Sequence, residues 1–479
     1  MSDEKHLLSD AQIQRFIVDG YILVHTDFSS PMHQNIYQKL EEVFEKEGNV
    51  GNNILPRIPG IQQVYDHPAM RGALHSLLGP DYTMNPHRHC HLNPTGSKGQ
   101  GWHKDCYVQD HNTRHPRFRW LLALYYPQDV SEDMGPTGLL PGQHLYEWIS
   151  DPDPDQCTEE VAPMCGPAGT VALVHFDAWH RAMPNISDRK RYMLKFQFTR
   201  LQEPHTPSWN HREATWDPPT ANRTVALDVW NWLRGCPDAP PSGPAQKGTA
   251  RLLEELQEGE EALRLHAAFA LGSRGAAVVP QILEALRREA REVVDRIEAK
   301  TADNAHGTNP TACRAAQALV AVGVPGVPQV IEALADEHWL VRAALVDVLA
   351  TLGPTAAAAI PALQECLGDE HWWVRRNAVE ALGRMGPEAA TAAPLLVAAL
   401  RDEDRRVRRM AALALALIGR YAPGATENLR EVLQDEDRYN RFYAGLALRR
   451  LDHPKARKVL LDSLTTARWC PLTTPETTF

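Results

Sequence analysis

The chain opens with helical spacing, turns to alternation, and then returns to helical spacing for good. Ser9-Asp-Ala-Gln12 has the form of a helix capping box, with Ile13, Phe16 and Ile17 following on one helical face. An extended run, Tyr21 to Val24, comes next, and a second amphipathic helix is predicted over Met32 to Lys46. A period of two then dominates. In Asn85 to Asn93 the residues His87, His89 and His91 alternate and share one face of a strand. Arg117 to Tyr126 sets Trp120, Leu122 and Leu124 against Arg119, Leu121 and Ala123, without showing which face looks inward. The apolar run after Gly169 and the alternating Asp188 to Phe198 predict two more strands. The Pro-rich stretch from Glu203 to Pro219 suits no regular element, and its Trp209 and Trp216 are expected to close one side of the strand domain. A helix around Ala226 to Leu233 precedes a linker rich in Pro and Gly.

From Thr249 onward Ala- and Leu-rich helical runs recur. Asp336, Asp369, Asp402 and Asp435 stand 33 residues apart, and Arg342, Arg375, Arg408 and Arg441 keep that step. Such runs cannot bury their apolar faces unless neighbouring copies stack, so an all-α solenoid is expected. The pattern resembles HEAT repeats of the short type also seen in phycobilisome lyases. An earlier copy, His266 to Leu286, is separated from the rest by a polar insertion at about residues 291–310. The recurrent Asp and Arg predict a structural ladder between turns. Large residues at Trp339, Trp372, Arg405 and Arg438 form a column that is expected either to dock a partner or to cap the core.

At 479 residues two or three domains are expected. The boundaries drawn from the pattern are 1–234, a linker at 235–249, a solenoid at 250–465 and a tail at 466–479. With 43% hydrophobic and 23% charged residues, disorder of the whole chain is not expected. The net charge of −10 argues against a general nucleic-acid binder. Eight cysteines without a Cys-x-x-Cys read as reduced thiols, Cys106 among them as a packing residue. The N-terminus has no basic and apolar leader pattern, and no uninterrupted apolar run is expected to span a bilayer, so a cytoplasmic protein is expected.

Candidate chemistry gathers at Gly101-Trp-His-Lys-Asp105. In a strand, His103 and Asp105 would share one face and Lys104 would turn away. His180 stands just past the end of the apolar strand after Gly169. Two histidines and a carboxylate on one side of a metal leave three positions open, as non-haem Fe(II) requires to hold a co-substrate and O₂. Arg191 follows His180 by eleven residues and offers a planar fork for a dicarboxylate. With Gly20-Tyr-Ile-Leu-Val24, Gly135-Pro-Thr-Gly-Leu-Leu-Pro-Gly-Gln-His144 and Pro184-Asn185, residues 7 to 200 resemble the phytanoyl-CoA dioxygenase family of Fe(II)/2-oxoglutarate oxygenases. That resemblance implies a double-stranded β-helix (jelly roll) with flanking helices. It implies that His103, Asp105 and His180 ligate iron, and that Arg191 grips the far carboxylate of 2-oxoglutarate. His91, and with it His87, become candidates to touch 2-oxoglutarate. The family often carries Ser or Thr two residues after the last histidine, where this chain has Ala182, so Arg191 needs help from elsewhere.

The expected protein is a multidomain oxygenase hydroxylating a C–H bond of a small-molecule or carrier-bound substrate. Neither nucleic acid nor membrane is expected as a partner, while the solenoid offers a surface for a protein. One rival is a non-catalytic HEAT-repeat scaffold carrying a degenerate barrel. Another is a hydrolytic zinc site, which the same three ligands would suit but in which Arg191 would have no task.

Overall fold

The computed structural model describes residues 4–105, 115–147, 149, 161–219, 222–236, 247–299, 313–420 and 422–465. Cys106, the Asp151–Pro154 run, most of the expected linker, the later part of the polar insertion and the tail from 466 lie outside the described residues.

Among the described residues eight strands form two antiparallel sheets. They are β1 (Tyr21–His25), β2 (Tyr82–Asn93), β3 (Trp120–Tyr125), β4 (Thr137–Leu139), β5 (Ala162–Pro163), β6 (Thr170–His175), β7 (His180–Ala182) and β8 (Arg191–Arg200). The larger sheet runs β1-β6-β3-β8-β2 and the smaller β5-β4-β7, a jelly-roll sandwich. The two faces of β3 part as its alternation predicts. Trp120, Leu122 and Leu124 join Leu139, Ala172, Val174 and Met193 in the interior, whereas Leu121, Ala123 and Tyr125 pack with Ile13, Phe16 and Leu74 of the covering helices. The Asp10–Asp19 helix has the expected capping box, with Ser9 and Gln12 satisfying each other's backbone N–H groups. Trp209 and Trp216 pack around Trp230, on the covering helical layer.

The register of β2 on β8 positions the site. It breaks between Met84 and Arg88, around Pro86, which has no N–H to give the ladder. Beyond the break His89 faces Lys195, His91 faces Met193 and Asn93 faces Arg191.

The C-terminal part stacks helices at the expected repeat. Arg342 pairs with Asp369 at 2.7 Å and Arg375 with Asp402 at 2.9 Å, so those rungs of the ladder are real. At the next step Arg408 instead donates to the carbonyls of Asp402 and Glu403, and the inter-repeat pair is Arg409 with Asp437. His338, His371, Asp404 and Asp437 are the N-caps of the second helices, each accepting the backbone N–H two residues on. The stretch Trp339–Cys366, interrupted by Arg342 and Asp347, is long and apolar enough to cross a membrane by length and composition alone. It is nevertheless two helices, Trp339–Leu352 and Ile360–Cys366, joined by a 3₁₀ segment, and 72% of its most apolar part is buried in the solenoid.

The two parts meet through buried polar contacts. Arg119 gives Glu203 a bidentate pair at 2.6 and 2.9 Å and also donates to the Thr351 carbonyl at 3.1 Å. His115 contacts Asp347 at 3.1 Å, and Arg450 grips Asp81, which precedes β2, at 2.6 Å.

Candidate metal centre

The segment 101–105 does not form the expected strand. Only His103 is bridged, exchanging two backbone hydrogen bonds of 3.0 Å with His180, because β7 ends the smaller sheet and offers this segment a single pairing position. The convergence survives: His103, Asp105 and His180 each place a ligand atom within 4.8 Å of the others. Lys104 turns away as expected and pairs with Asp177 at 2.7 Å.

Both imidazoles are set to coordinate. Nδ1 of His103 lies 2.9 Å from the Gly101 carbonyl, and Nδ1 of His180 lies 3.0 Å from that of Ala178. A carbonyl only accepts, so each Nδ1 carries the proton and each Nε2 keeps its lone pair. Burial, partly opposed by Asp105, pushes the His180 imidazolium pKa down to about 4, which favours the neutral ligand form. Burial would raise the Asp105 carboxyl, but Lys195, His180 and His103 outweigh it and hold the group well below the usual carboxylate range. The Lys195 ammonium lies 2.9 Å from both Asp105 oxygens. The carboxylate therefore faces a cation at short range, and the donor set fits a divalent metal.

The triad opens into a cavity of about 420 Å³ that His87, His89, His91, Arg191 and Lys195 also line. Arg191 is 1% exposed. Its Nε and Nη2 donate to the Gly135 carbonyl at 2.9 and 2.8 Å, and among the described residues it has no carboxylate partner. Gly135 has φ +66°, and a Cβ there would strike Asn93 and Met183, so only glycine brings that carbonyl to the guanidinium. A buried guanidinium without a counter-ion is costly unless an anion arrives. Arg189, by contrast, is exposed.

The three histidines of β2 share the cavity face, as alternation predicts. Burial, then Lys195, pushes His87 down to about 3 and His91 down to about 2, so they are neutral hydrogen-bonding groups. His89 Nδ1 and His91 Nε2 are buried without a hydrogen-bond partner. Of the cavity residues that the sequence pattern did not single out, two bear on the chemistry. Lys195 shares the Arg191 face of β8, four positions on, a signal that alternation contains. Thr137 lies directly across from Ala182 in the β4–β7 ladder, and its hydroxyl accepts from Tyr126 at 2.9 Å. No local signal marks that pairing.

Residues 19–193 match the family model of phytanoyl-CoA dioxygenase, and residues 327–400 and 393–469 match that of HEAT repeats. No curated protein matches the chain. Among solved structures the chain is similar to the non-heme alpha ketoglutarate dependent carbocyclase SnoK from nogalamycin biosynthesis, at 18% identity over 42% of this chain and 88% of that one, with a TM-score of 0.36. It is similar also to HygX from Streptomyces hygroscopicus with nickel and 2-oxoglutarate bound, at 14% identity over 40% and 87%, with a TM-score of 0.34. A third, the nickel complex of the non-heme monooxygenase ThoJ, is 14% identical over 45% and 93%, with a TM-score of 0.33.

Proposed function

We propose that this chain, with its phytanoyl-CoA dioxygenase domain over residues 19–193, is an Fe(II)- and 2-oxoglutarate-dependent oxygenase that hydroxylates a C–H bond of a small-molecule or carrier-bound substrate. The observation that carries this reading is Arg191, a buried guanidinium without a carboxylate partner among the described residues, in the same cavity as His103, Asp105 and His180. Neither a scaffold nor a hydrolytic zinc site gives it a task.

When bound, Fe(II) together with 2-oxoglutarate and O₂ supplies the oxidation: the co-substrate becomes succinate and CO₂, and one oxygen atom enters the C–H bond. His103 and His180 supply neutral Nε2 donors and Asp105 an ionised carboxylate. Arg191 takes the far carboxylate of 2-oxoglutarate through the part of its fork that Gly135 leaves open. Thr137, oriented by Tyr126, provides the hydroxyl beside it that Ala182 lacks. His91, with His87 behind it, meets the co-substrate as a neutral hydrogen-bonding partner. Walls of buried β-strand side chains exclude water and keep the substrate's C–H bond in place.

The test is an anaerobic titration of the full chain with Fe(II) and 2-oxoglutarate, following the visible metal-to-ligand charge-transfer band. The band is expected for the wild type and absent from His103→Ala, Asp105→Ala and His180→Ala, each still folded by circular dichroism. A wild type without the band, or His180→Ala with full 2-oxoglutarate decarboxylation, sinks the reading.

A further inference from the structure

Among the described residues β2 is an end strand of the larger sheet, bonded only to β8, and the helix Arg438–Arg450 of the solenoid packs against it. At its C-terminal end Arg450 holds both oxygens of Asp81, at 2.8 and 2.6 Å, and thereby ties the helix to the start of β2. A helix of this length extends roughly 18 Å, close to the roughly 20 Å that six to seven strand residues span. Its first residue, Arg438, is thus brought beside His87 and His89, in the middle of β2. The charges agree with that placement: after burial and Lys195, Arg438 is among the groups that disfavour the imidazolium forms of both histidines. Arg438 is exposed, and among the described residues no carboxylate pairs with it.

Among the described residues the cavity wall carries Arg181, Arg191 and Lys195 and one carboxylate, Asp105. A divalent metal and a dicarboxylate co-substrate would cancel each other and leave the balance among these residues unchanged. His89 Nδ1, buried and without a partner, adds an unused polar group on the β2 side.

We propose that Arg438 of the solenoid, with His89 of β2, forms the outer part of the substrate site and receives an oxyanion, a carboxylate or a phosphate ester, at the end of the substrate remote from the oxidised C–H bond. The assignment of this oxyanion to a substrate rests on the oxygenase reading above. It gives the solenoid a direct part in the site, one that a barrel alone would lack. Arg438 is a binding residue here and has no role in holding the metal or 2-oxoglutarate.

The metal-free full chain is titrated calorimetrically with inorganic phosphate and with acetate, as wild type, Arg438→Gln and Arg405→Gln. Arg405 occupies the same position one repeat earlier and is exposed as well. Arg438→Gln is expected to weaken binding of at least one anion about fivefold, the range of an exposed charge-assisted contact, while Arg405→Gln leaves it unchanged. Stronger dependence for phosphate identifies a phosphate ester, and for acetate a carboxylate. Equal binding by wild type and Arg438→Gln, or equal loss in both variants, overturns the proposal. The charge-transfer band, measured on the same preparations, is expected unchanged in Arg438→Gln. If the wild type lacks the band while anion binding still depends on Arg438, the oxyanion site stands and its assignment to an oxygenase substrate falls.

Discussion

Lys195 and Asp105 are two opposite charges held out of water, with side chains 7% exposed each. Removing one partner of such a pair leaves an uncompensated buried charge, at a cost of about 3 kcal/mol. Lys195→Met is therefore expected to lower the thermal midpoint of the metal-free protein, and added divalent metal should recover more stability in the variant than in the wild type. Equal midpoints without metal would show that the ammonium does not balance the carboxylate. Arg191 makes a different demand, because a lysine cannot reproduce two parallel hydrogen bonds. Arg191→Lys should raise the 2-oxoglutarate concentration needed for the charge-transfer band by about tenfold or more, while Arg189→Lys, on the surface, should not. Thr137→Val keeps the branched shape and removes the hydroxyl. About a fivefold rise in that concentration, the size of one hydrogen bond, is expected, with iron affinity unchanged.

The second helices of the solenoid begin with an aromatic stack that the repeat pattern brings together. Trp339 lies 3.8 Å from His371, Trp372 lies 4.2 Å from Trp373, and the Arg406 guanidinium sits 3.2 Å from the centre of the Trp372 ring. The Trp339–His371 and Arg406–Trp372 contacts run from one repeat to the next and the Trp372–Trp373 contact lies within one helix, so the ring faces are occupied by their own neighbours. Of the two roles expected for this column, the geometry favours cohesion between repeats. Trp372→Ala should cost about 1–3 kcal/mol, from the stacking and cation–π contacts and the buried area together, and Arg405→Ala close to nothing. Paired thermal melts check this. A stable Trp372→Ala that loses an interaction partner would return the column to docking.

Across the whole molecule the barrel and the solenoid share charges that neither could bury alone. Glu203 is held by Arg119, whose guanidinium also bonds the Thr351 carbonyl, and Arg384 reaches to within 4.0 Å of it. Burial would raise the Glu203 carboxyl, but Arg119, Arg384 and Arg200 outweigh it and lower it from the ordinary 4.5. A depressed carboxyl contributes stability that is fully present above its unfolded pKa and is lost as pH falls through the folded one. Glu203→Gln should therefore destabilise the full chain at neutral pH by about 3 kcal/mol, and the gap to wild type should close below pH 4.5. Denaturant titrations at pH 7 and pH 3.5 measure it, and a gap that stays constant would remove Glu203 from the acid response. A barrel cut off before the solenoid would lose Thr351, Asp347 and Arg384 at once, and its fold is expected to suffer with its chemistry.

What the sequence determined by itself was whatever depends on local period. Alternation placed His87, His89 and His91 on one face of β2 and divided β3 into two faces, since successive side chains of a strand point to opposite sides. The 33-residue step of Asp and Arg specified the solenoid and two rungs of its ladder, since stacked copies meet at equal offsets. The residues brought together as a candidate metal centre were also nameable in advance, because two histidines, a carboxylate and an arginine at those spacings carry the family's signature. The tertiary structure alone decided the rest. Thr137 stands opposite Ala182 through sheet register, Lys195 meets Asp105 from a strand 90 residues on, and Arg450 ties the last solenoid helices to Asp81. These are contacts between distant segments, and no periodicity within a segment records which other segment will pack against it.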